Sequence, residues 1–235
     1  MSKNKTLCVL NTFFNHEHII KCFESIYSED VDYFILENKS KYSSLIESYF
    51  SNKRIIGYLQ SEENITYGTV NYFYKEYRDL INQYEYFTIT DGDLLVDDVK
   101  SMYSEIFNIL NQKNVMVCCV DLHKDNLPKI NGSETWIPDC ETIDNLYKKC
   151  DSGTHMMTFK KENFNVFLDI KTMFDTHIHQ HVKEKNGVSA KTLINKAKHL
   201  TWDYYYDGNE YYEWKKNNQW TLGVHNKTSK INRLI

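Results

Sequence analysis

Tyr86-Phe87-Thr88-Ile89-Thr90-Asp91-Gly92-Asp93-Leu94-Leu95-Val96 decides how the rest of the chain is read. Residues of β-favouring character run directly into two acidic residues separated by one glycine, and the apolar sequence then resumes. A strand buried on both faces of a sheet reads as such a continuous run. In an open α/β sheet, ligands bind beyond the carboxyl ends of the strands, which is where these two carboxylates stand. Asp91 and Asp93 together can hold a hard divalent cation, Mn²⁺ or Mg²⁺, whose other ligands are phosphate oxygens and water. Asp-Gly-Asp is also ordinary turn chemistry, and the stretch alone does not separate the two readings.

Outward from this strand the chain alternates between strand and helix patterns. Leu7-Cys8-Val9-Leu10 reads as a strand ending in Asn11-Thr12-Phe13-Phe14-Asn15. Ile19, Ile20, Phe23, Ile26 and Tyr27 then recur at helical spacing behind Asn15 as N-cap. Tyr33-Phe34-Ile35-Leu36 is the next strand, and Leu45, Ile46, Tyr49 and Phe50 mark a second helix before a strand around Ile55–Leu59. Val70, Phe73, Tyr77, Leu80, Ile81 and Tyr84 form the face of one long helix leading into the central strand. Asp97 or Asp98 caps a further helix with its face at Val99, Met102, Tyr103, Ile106, Ile109 and Leu110. Strands and helices in this rhythm are βαβ units, hence an α/β fold with a mostly parallel sheet flanked by helices.

The second half is less regular. Val115–Val120 and His155–Phe159 read as strands, and 121–150 reads as a long polar loop holding Trp136, Pro128 and Pro138. A helix carrying Asp175, His177, His179 and His181 is expected to end at Gly187 as its C-terminal cap, with a last strand at Ala197–Asp203. On a helix His177 and His181 share a face that His179 does not, and no H-E-x-x-H occurs, so the histidine run does not point to zinc. The aromatic residues Trp202, Tyr204, Tyr205, Tyr206, Tyr211, Tyr212, Trp214 and Trp220 are expected mainly in core packing.

Bulk properties narrow the function classes. The 28 Lys and Arg against 32 Asp and Glu give a net charge of −4, which offers no basic field for nucleic acid. No apolar run reaches the length of a membrane span or of a signal peptide's core, and no linker composition divides the 235 residues. The expectation is one domain, with about 1–112 as an α/β half of nucleotide-binding type and about 113–235 as a less regular second half. The six cysteines lack C-x-x-C spacing and read as reduced, buried residues of a cytoplasmic protein. A small basic tail, Lys227, Lys230 and Arg233, offers contact with diphosphate or with a membrane surface.

In order and spacing, these pieces resemble the GT-A glycosyltransferases, closest to the family-2-like members. Thr12-Phe13-Phe14-Asn15 stands where that family's first strand ends against the nucleotide, and Glu37-Asn38-Lys39-Ser40 stands for its Asp-x-x-Ser. Glu63-Asn64-x-x-x-Gly68-x-x-Asn71 is similar to its Asn- and Gly-containing helix start, and Asp91-Gly92-Asp93 to its DXD motif. Ser152 to Phe164 resembles its acceptor strand, and Asp175 to Gly187 has the length of its Glu-Asp helix. Glu37 replaces the usual Asp, and Asp175-Thr176 replaces Glu-Asp.

The resemblance implies a metal-dependent transfer of a sugar from a nucleoside diphosphate donor, UDP-linked, to a glycan hydroxyl, and makes about 113–235 the acceptor-binding half. Thr12, Phe13, Asn15, Glu37, Asn64, Gly68, Asn71, Asp91 and Gly92 are the expected donor contacts. Asp91, Asp93 and a histidine are the expected metal ligands; His225 is preferred for the third, with His199 as the alternative. Asp175 is the expected base, with His177 adjacent, and Asp151 is its runner-up. Two rivals stay open: a nucleotidyltransferase, which Thr12-Phe13-Phe14-Asn15 disfavours for want of a Gly-rich loop, and a non-catalytic nucleotide- or carbohydrate-binding module. A dehydrogenase is disfavoured too, since no G-x-G-x-x-G follows any strand.

Overall fold

The computed structural model describes residues 5–125, 140–164, 167, 173–217 and 229–235. The chain opens with β1 (Thr6–Phe13), α1 (His16–Ile26), β2 (Val31–Asn38), α2 (Ser43–Phe50) and β3 (Gly57–Ser61). Two helices, α3 (Gly68–Glu76) and α4 (Arg78–Ile81), lead to β4 (Tyr86–Asp91), followed by β5 (Leu94–Val96), α5 (Val99–Leu110) and β6 (Val115–Leu122). The hairpin strands β7 (Glu141–Ile143) and β8 (Tyr147–Lys149) precede β9 (Met157–Lys160), α6 (Lys161–Phe164), α7 (Asp175–Glu184) and β10 (Val188–His199). A 3-10 turn (Leu200–Tyr204), α8 (Glu210–Asn217) and β11 (Ile231–Arg233) complete the described chain.

All eleven strands join one sheet in the order β11-β3-β2-β1-β4-β9-β6-β10-β8-β7, with β5 paired to β10 off that path. β3, β2, β1 and β4 are parallel, as the βα rhythm predicts. Beyond β4 the sheet is mixed: β9 runs antiparallel to both β4 and β6, while β10 is parallel to β6. Alternate residues of β1 serve opposite faces. Cys8 and Leu10 join a core with Ile19, Phe23, Phe50 and Ile106, while Leu7 and Val9 join another with Val70, Phe73, Ile178 and Val182. Burial on both faces is why these strands read as unbroken apolar runs; each such side chain contributes about 1.5–3 kcal/mol.

This winding places the site. The chain moves from β1 to β2 to β3 on one side and returns to β4 on the other side of β1, so the crevice at the carboxyl ends of β1 and β4 is a topological switch point. Asn11 lies opposite Asp91 there.

The structure corrects several sequence expectations. The single helix over 68–84 is two, broken at Tyr77, although its apolar face packs as expected. Its aromatic-rich sequence is a weak helix former, and tertiary packing decides the path. β10 begins at Val188, well before Ala197, and residues 200–204 form a 3-10 turn where a strand was expected. The stretch 121–150 includes the β7–β8 hairpin. At the end of α7 the left-handed residue is Asn186 (φ 56°), whereas Gly187 permits close approach: a Cβ there would lie 2.4 Å from Met116 Sδ. Cys8, Cys22, Cys118 and Cys119 are buried thiols, but Cys140 and Cys150 form a disulfide across 5.4 Å between Cα atoms. The reading of all six as reduced is thereby revised. Among the described residues no helix is long and apolar enough to cross a membrane.

Candidate active site

At the switch point β1 and β4 border a cavity of 1190 Å³. Its lining includes Thr12, Phe13, Asn15, Asn64, Asp91, Gly92, Asp93, Asp151 and Asp175 from the sequence expectations. Glu37, Gly68 and Asn71 are not in that lining. Glu37 is fully buried between strands, accepting from Gln60 Nε2 at 2.8 Å and from the Tyr58 hydroxyl. Burial pushes its pKa up. Gly68 starts α3 against Ile65, and Asn71 Oδ1 accepts from the Met173 amide at 2.6 Å. His225 and Trp136 fall outside the described residues.

Asp91 ends β4 and is held from two sides. Tyr67 Oη donates to its carboxylate at 3.2 and 3.0 Å, and Asn11 Nδ2 lies 3.4 Å from Oδ1. Burial, and then the charge on Asp93, push its carboxyl up to about 7. Two carboxylates one residue apart in a low-dielectric crevice resist ionising together. The polar side chains extend behind Asp91. Asn11 Oδ1 accepts from Asn38 Nδ2 and Thr69 Oγ1, both at 3.2 Å, and the Tyr67 hydroxyl also pairs with Thr154 Oγ1.

Asp93 has the opposite balance. Burial pushes its pKa up, but His199, the Thr201 hydroxyl, Lys215 and His155 outweigh that and leave it below the ordinary value. Thr201 Oγ1 donates to Oδ2 at 2.5 Å, His199 Nδ1 lies 3.6 Å from the same oxygen, and the Leu200 amide donates to the Asp93 carbonyl at 2.7 Å. The other oxygen, Oδ1, is buried and accepts no hydrogen bond among the described residues. His199 itself stacks on Trp202 at 4.6 Å with an interplanar angle of 6°. β10 delivers His199, and its antiparallel pairing with β5 fixes the turn that carries Asp93: His199 lies opposite Leu94.

These residues fit a divalent cation as a partial set. Asp93 Oδ1 has an open acceptor position, Asp91 lies beside it, and a carboxylate–imidazole combination suits Mn²⁺. Among the described residues, no three His, Cys, Asp or Glu form a complete metal-holding group. The remaining ligands have to come from substrate and water.

The far side of the cavity belongs to the second half of the chain. Asp175 opens α7, its Oδ1 accepting from the Thr176 amide at 2.6 Å. Asp151 pairs with Lys183 at 2.5 Å and stands 3.8 Å from His179 Nδ1. His179 points inward to Ser189 Oγ at 2.8 Å and the Ser152 backbone, and its burial pushes its pKa down. The C-terminal aromatic residues divide: Trp202 packs against the core as expected and also lines the cavity, Tyr205, Tyr211 and Trp214 line the cavity, α8 buries no residue, and Trp220 falls outside the described residues. Phe13 and Phe14 meet Tyr211 and Trp214, with Phe13 and Trp214 centroids 4.7 Å apart and Phe14 turned by a left-handed φ of 66°. Asn11, Tyr67, Thr154 and Thr201 are the site residues that sequence reading missed.

No protein-family model matches the chain. It is 31% identical over 252 aligned positions to an uncharacterized protein of Acanthamoeba polyphaga mimivirus, covering 96% of this chain and 28% of that one. A second uncharacterized protein of the same virus is 29% identical over 248 positions, covering 98% of this chain and 50% of its own. The chain therefore spans half or less of the length of these curated relatives. Among solved structures, the mannosyltransferase PcManGT from Pyrobaculum calidifontis, in complex with GDP-Man and Mn²⁺, matches with a TM-score of 0.59 at 10% identity, over 96% of this chain and 66% of that one. S. aureus TarS 1-349 matches with a TM-score of 0.53 at 11% identity, over 83% of this chain and 60% of that one. At such identities the likeness establishes the fold: the chain has a GT-A-like nucleotide-sugar transferase fold.

Proposed function

We propose that this chain is a metal-dependent glycosyltransferase that moves a sugar from a nucleoside diphosphate donor, UDP-linked, onto a glycan hydroxyl. The observation that carries the reading is the half-buried Asp91–Asp93 pair lining the cavity at the switch point of a transferase-type fold, with Asp93 Oδ1 left without a hydrogen bond among the described residues. When bound there, a divalent cation supplies charge neutralisation for the departing diphosphate. Asp91, Asp93 and His199 are the residues that would hold it.

The rest of the work falls to side chains in place. Asn11 and Tyr67 orient Asp91, while Thr201 fixes Asp93, so neither carboxylate has to reorganise as charge develops on the leaving group. Thr12, Phe13, Asn15, Asn64 and Gly92 border the donor at the end of β1 and β4. Across the cavity, Asp175 takes the proton of the attacking hydroxyl. Asp151 has one oxygen already taken by Lys183 and is the runner-up for this role. Asp175-Thr176 in place of Glu-Asp favours one rival, a binding module that holds nucleotide without turnover.

The experiment is calorimetric titration of UDP with Mn²⁺ into the protein and into Asp93→Ala, followed by turnover of a panel of nucleotide-sugars. Metal-dependent binding lost in Asp93→Ala, with turnover of one donor, is the expected result. Absence of metal-dependent nucleotide binding would sink the transferase reading, and binding without turnover of any donor would favour the module.

A further inference from the structure

Resting on the transferase reading, we infer that Lys215 of α8 is a phosphate-contacting residue, the cation that meets the donor's diphosphate from the side opposite Asp91 and Asp93.

The cavity is rich in carboxylates: Asp91, Asp93, Asp121, Asp151 and Asp175 all line it. A dianionic group entering such a space needs positive charge on more than one side, because carboxylate–phosphate repulsion is strong where water is excluded. Three lysines line the cavity. Lys183 pairs with Asp151 at 2.5 Å, and Lys191, a buried residue of β10, faces Asp121 at 4.0 Å. Lys215 is differently placed. Its ammonium donates to Tyr205 Oη at 2.5 Å and stands over the rings of Tyr205 and Tyr211, at 5.0 and 5.1 Å from their centroids. Those contacts fix the ammonium's position without cancelling its charge.

Position points the same way. α8 packs over the nucleotide half: Trp214 and Tyr211 meet Phe13 and Phe14 at the end of β1, and Glu210 pairs with Lys41 and Tyr42 just before α2. From there Lys215 interacts with both Asp93 and Asp91; burial lowers its pKa from the ordinary lysine value, and the two carboxylates oppose that lowering in part. Asp91, Asp93 and Lys215 line the same cavity, so phosphates held at the two carboxylates through a cation come near this ammonium. α8 buries no residue, so the fold does not need this helix for its core, whereas a ligand does gain from its lysine.

The test compares binding of UDP and GDP, with Mn²⁺, against uridine and guanosine in the unaltered protein, Lys215→Met and Lys215→Arg. A charge-assisted contact predicts that Lys215→Met weakens diphosphate binding by about tenfold or more. Nucleoside binding stays unchanged, and Lys215→Arg restores most of the loss. The diphosphate affinity of Lys215→Met also depends less steeply on salt than that of the unaltered protein. Equal weakening of diphosphate and nucleoside in Lys215→Met, or no weakening of either, overturns the inference while the transferase reading stands. If Lys215→Met fails to fold, Lys215→Gln carries the same comparison, with the same outcomes. Failure of the unaltered protein to bind either diphosphate overturns both.

Discussion

Thr201 Oγ1 donates to Asp93 Oδ2 at 2.5 Å, fastening the turn after β4 to the turn after β10 across 108 residues of sequence. With Oδ1 open, this hydroxyl is the one side-chain hydrogen bond donor that holds Asp93 among the described residues. Thr201→Val keeps the shape and removes the donor. The expected cost is about 1–3 kcal/mol at pH 7, since the carboxylate is then buried without a hydrogen bond. In an Asp93→Asn background the cost shrinks, because the charge needing the bond is gone. A double-mutant cycle by urea denaturation reads the coupling. Equal costs in both backgrounds would place Thr201 in packing alone.

The buried histidines set the response to acid. His18, His155, His179 and His199 all have their pKa pushed below the ordinary value, first by burial, and His155 falls to about 3. Below about pH 6.5 the unfolded chain takes up protons that the folded protein refuses, so this stability is present above 6.5 and is lost as pH falls toward the folded values. Asp91 and Glu37, raised by burial, act in the opposite sense: they favour the folded state at low pH and lose that contribution as pH rises. Four imidazoles against two carboxyls give a net rise in urea midpoint from pH 5 to pH 6.5. His179→Gln flattens that rise, by at most about 1.4 kcal/mol per pH unit for one proton. An unchanged slope in His179→Gln counts against the assignment.

How much of this was legible in the sequence follows from distance along the chain. Asp91-Gly92-Asp93 could be read because the apolar run, the acids and their place at a strand end are all local. The parallel half of the sheet was legible for the same reason: buried strands and amphipathic helices each carry their own period. β10 was not. Its Lys191 and Thr192 are buried although the pattern reads polar, because this strand both completes the sheet and turns polar side chains to the cavity or to β6. Asn11 and Thr201 meet their aspartates over 80 and 108 residues, and no local pattern announces such a partner. The aromatic C-terminal stretch serves two surroundings, with Trp202 against the core and Tyr205, Tyr211 and Trp214 on the cavity. Ring-rich sequence fits a core and a cavity wall equally, and only the placement of α8 distinguishes them.

Asn38 couples the sheet to the segment that presents Tyr67. Its Nδ2 donates to the Thr66 carbonyl at 3.0 Å, and its Oδ1 accepts from the Ile65 amide at 3.0 Å, around a Thr66 held at a left-handed φ of 51°. Asn38→Ala leaves the buried Ile65 amide without this partner, while the Thr66 carbonyl keeps Thr69 Oγ1 at 3.1 Å, and the expected cost is about 1–3 kcal/mol. The loss is expected to be local as well as global. Hydrogen exchange at the Ile65 amide speeds up more than exchange at the Leu10 amide in the core of β1. Uniform acceleration at both sites would reduce Asn38 to a general stability residue.

Asp175 and Asp151, from the second half of the chain, line the same cavity with different partners. Asp151 already accepts a hydrogen bond from Lys183 at 2.5 Å, so one of its oxygens is occupied. Asp175 sits at the start of α7, and its charge reaches Asp91 and Tyr67 across the cavity. Under the transferase reading, Asp175→Asn lowers kcat of donor turnover by about 10²–10⁴-fold while leaving UDP–Mn²⁺ affinity intact, the signature of a lost general base. Asp151→Asn frees Lys183 and lowers turnover by less than about tenfold, because it removes positioning and not the proton acceptor. Steady-state kinetics with calorimetry on both variants separates the roles. A larger loss of kcat in Asp151→Asn assigns the base to Asp151 and makes Asp175 the cap of its helix.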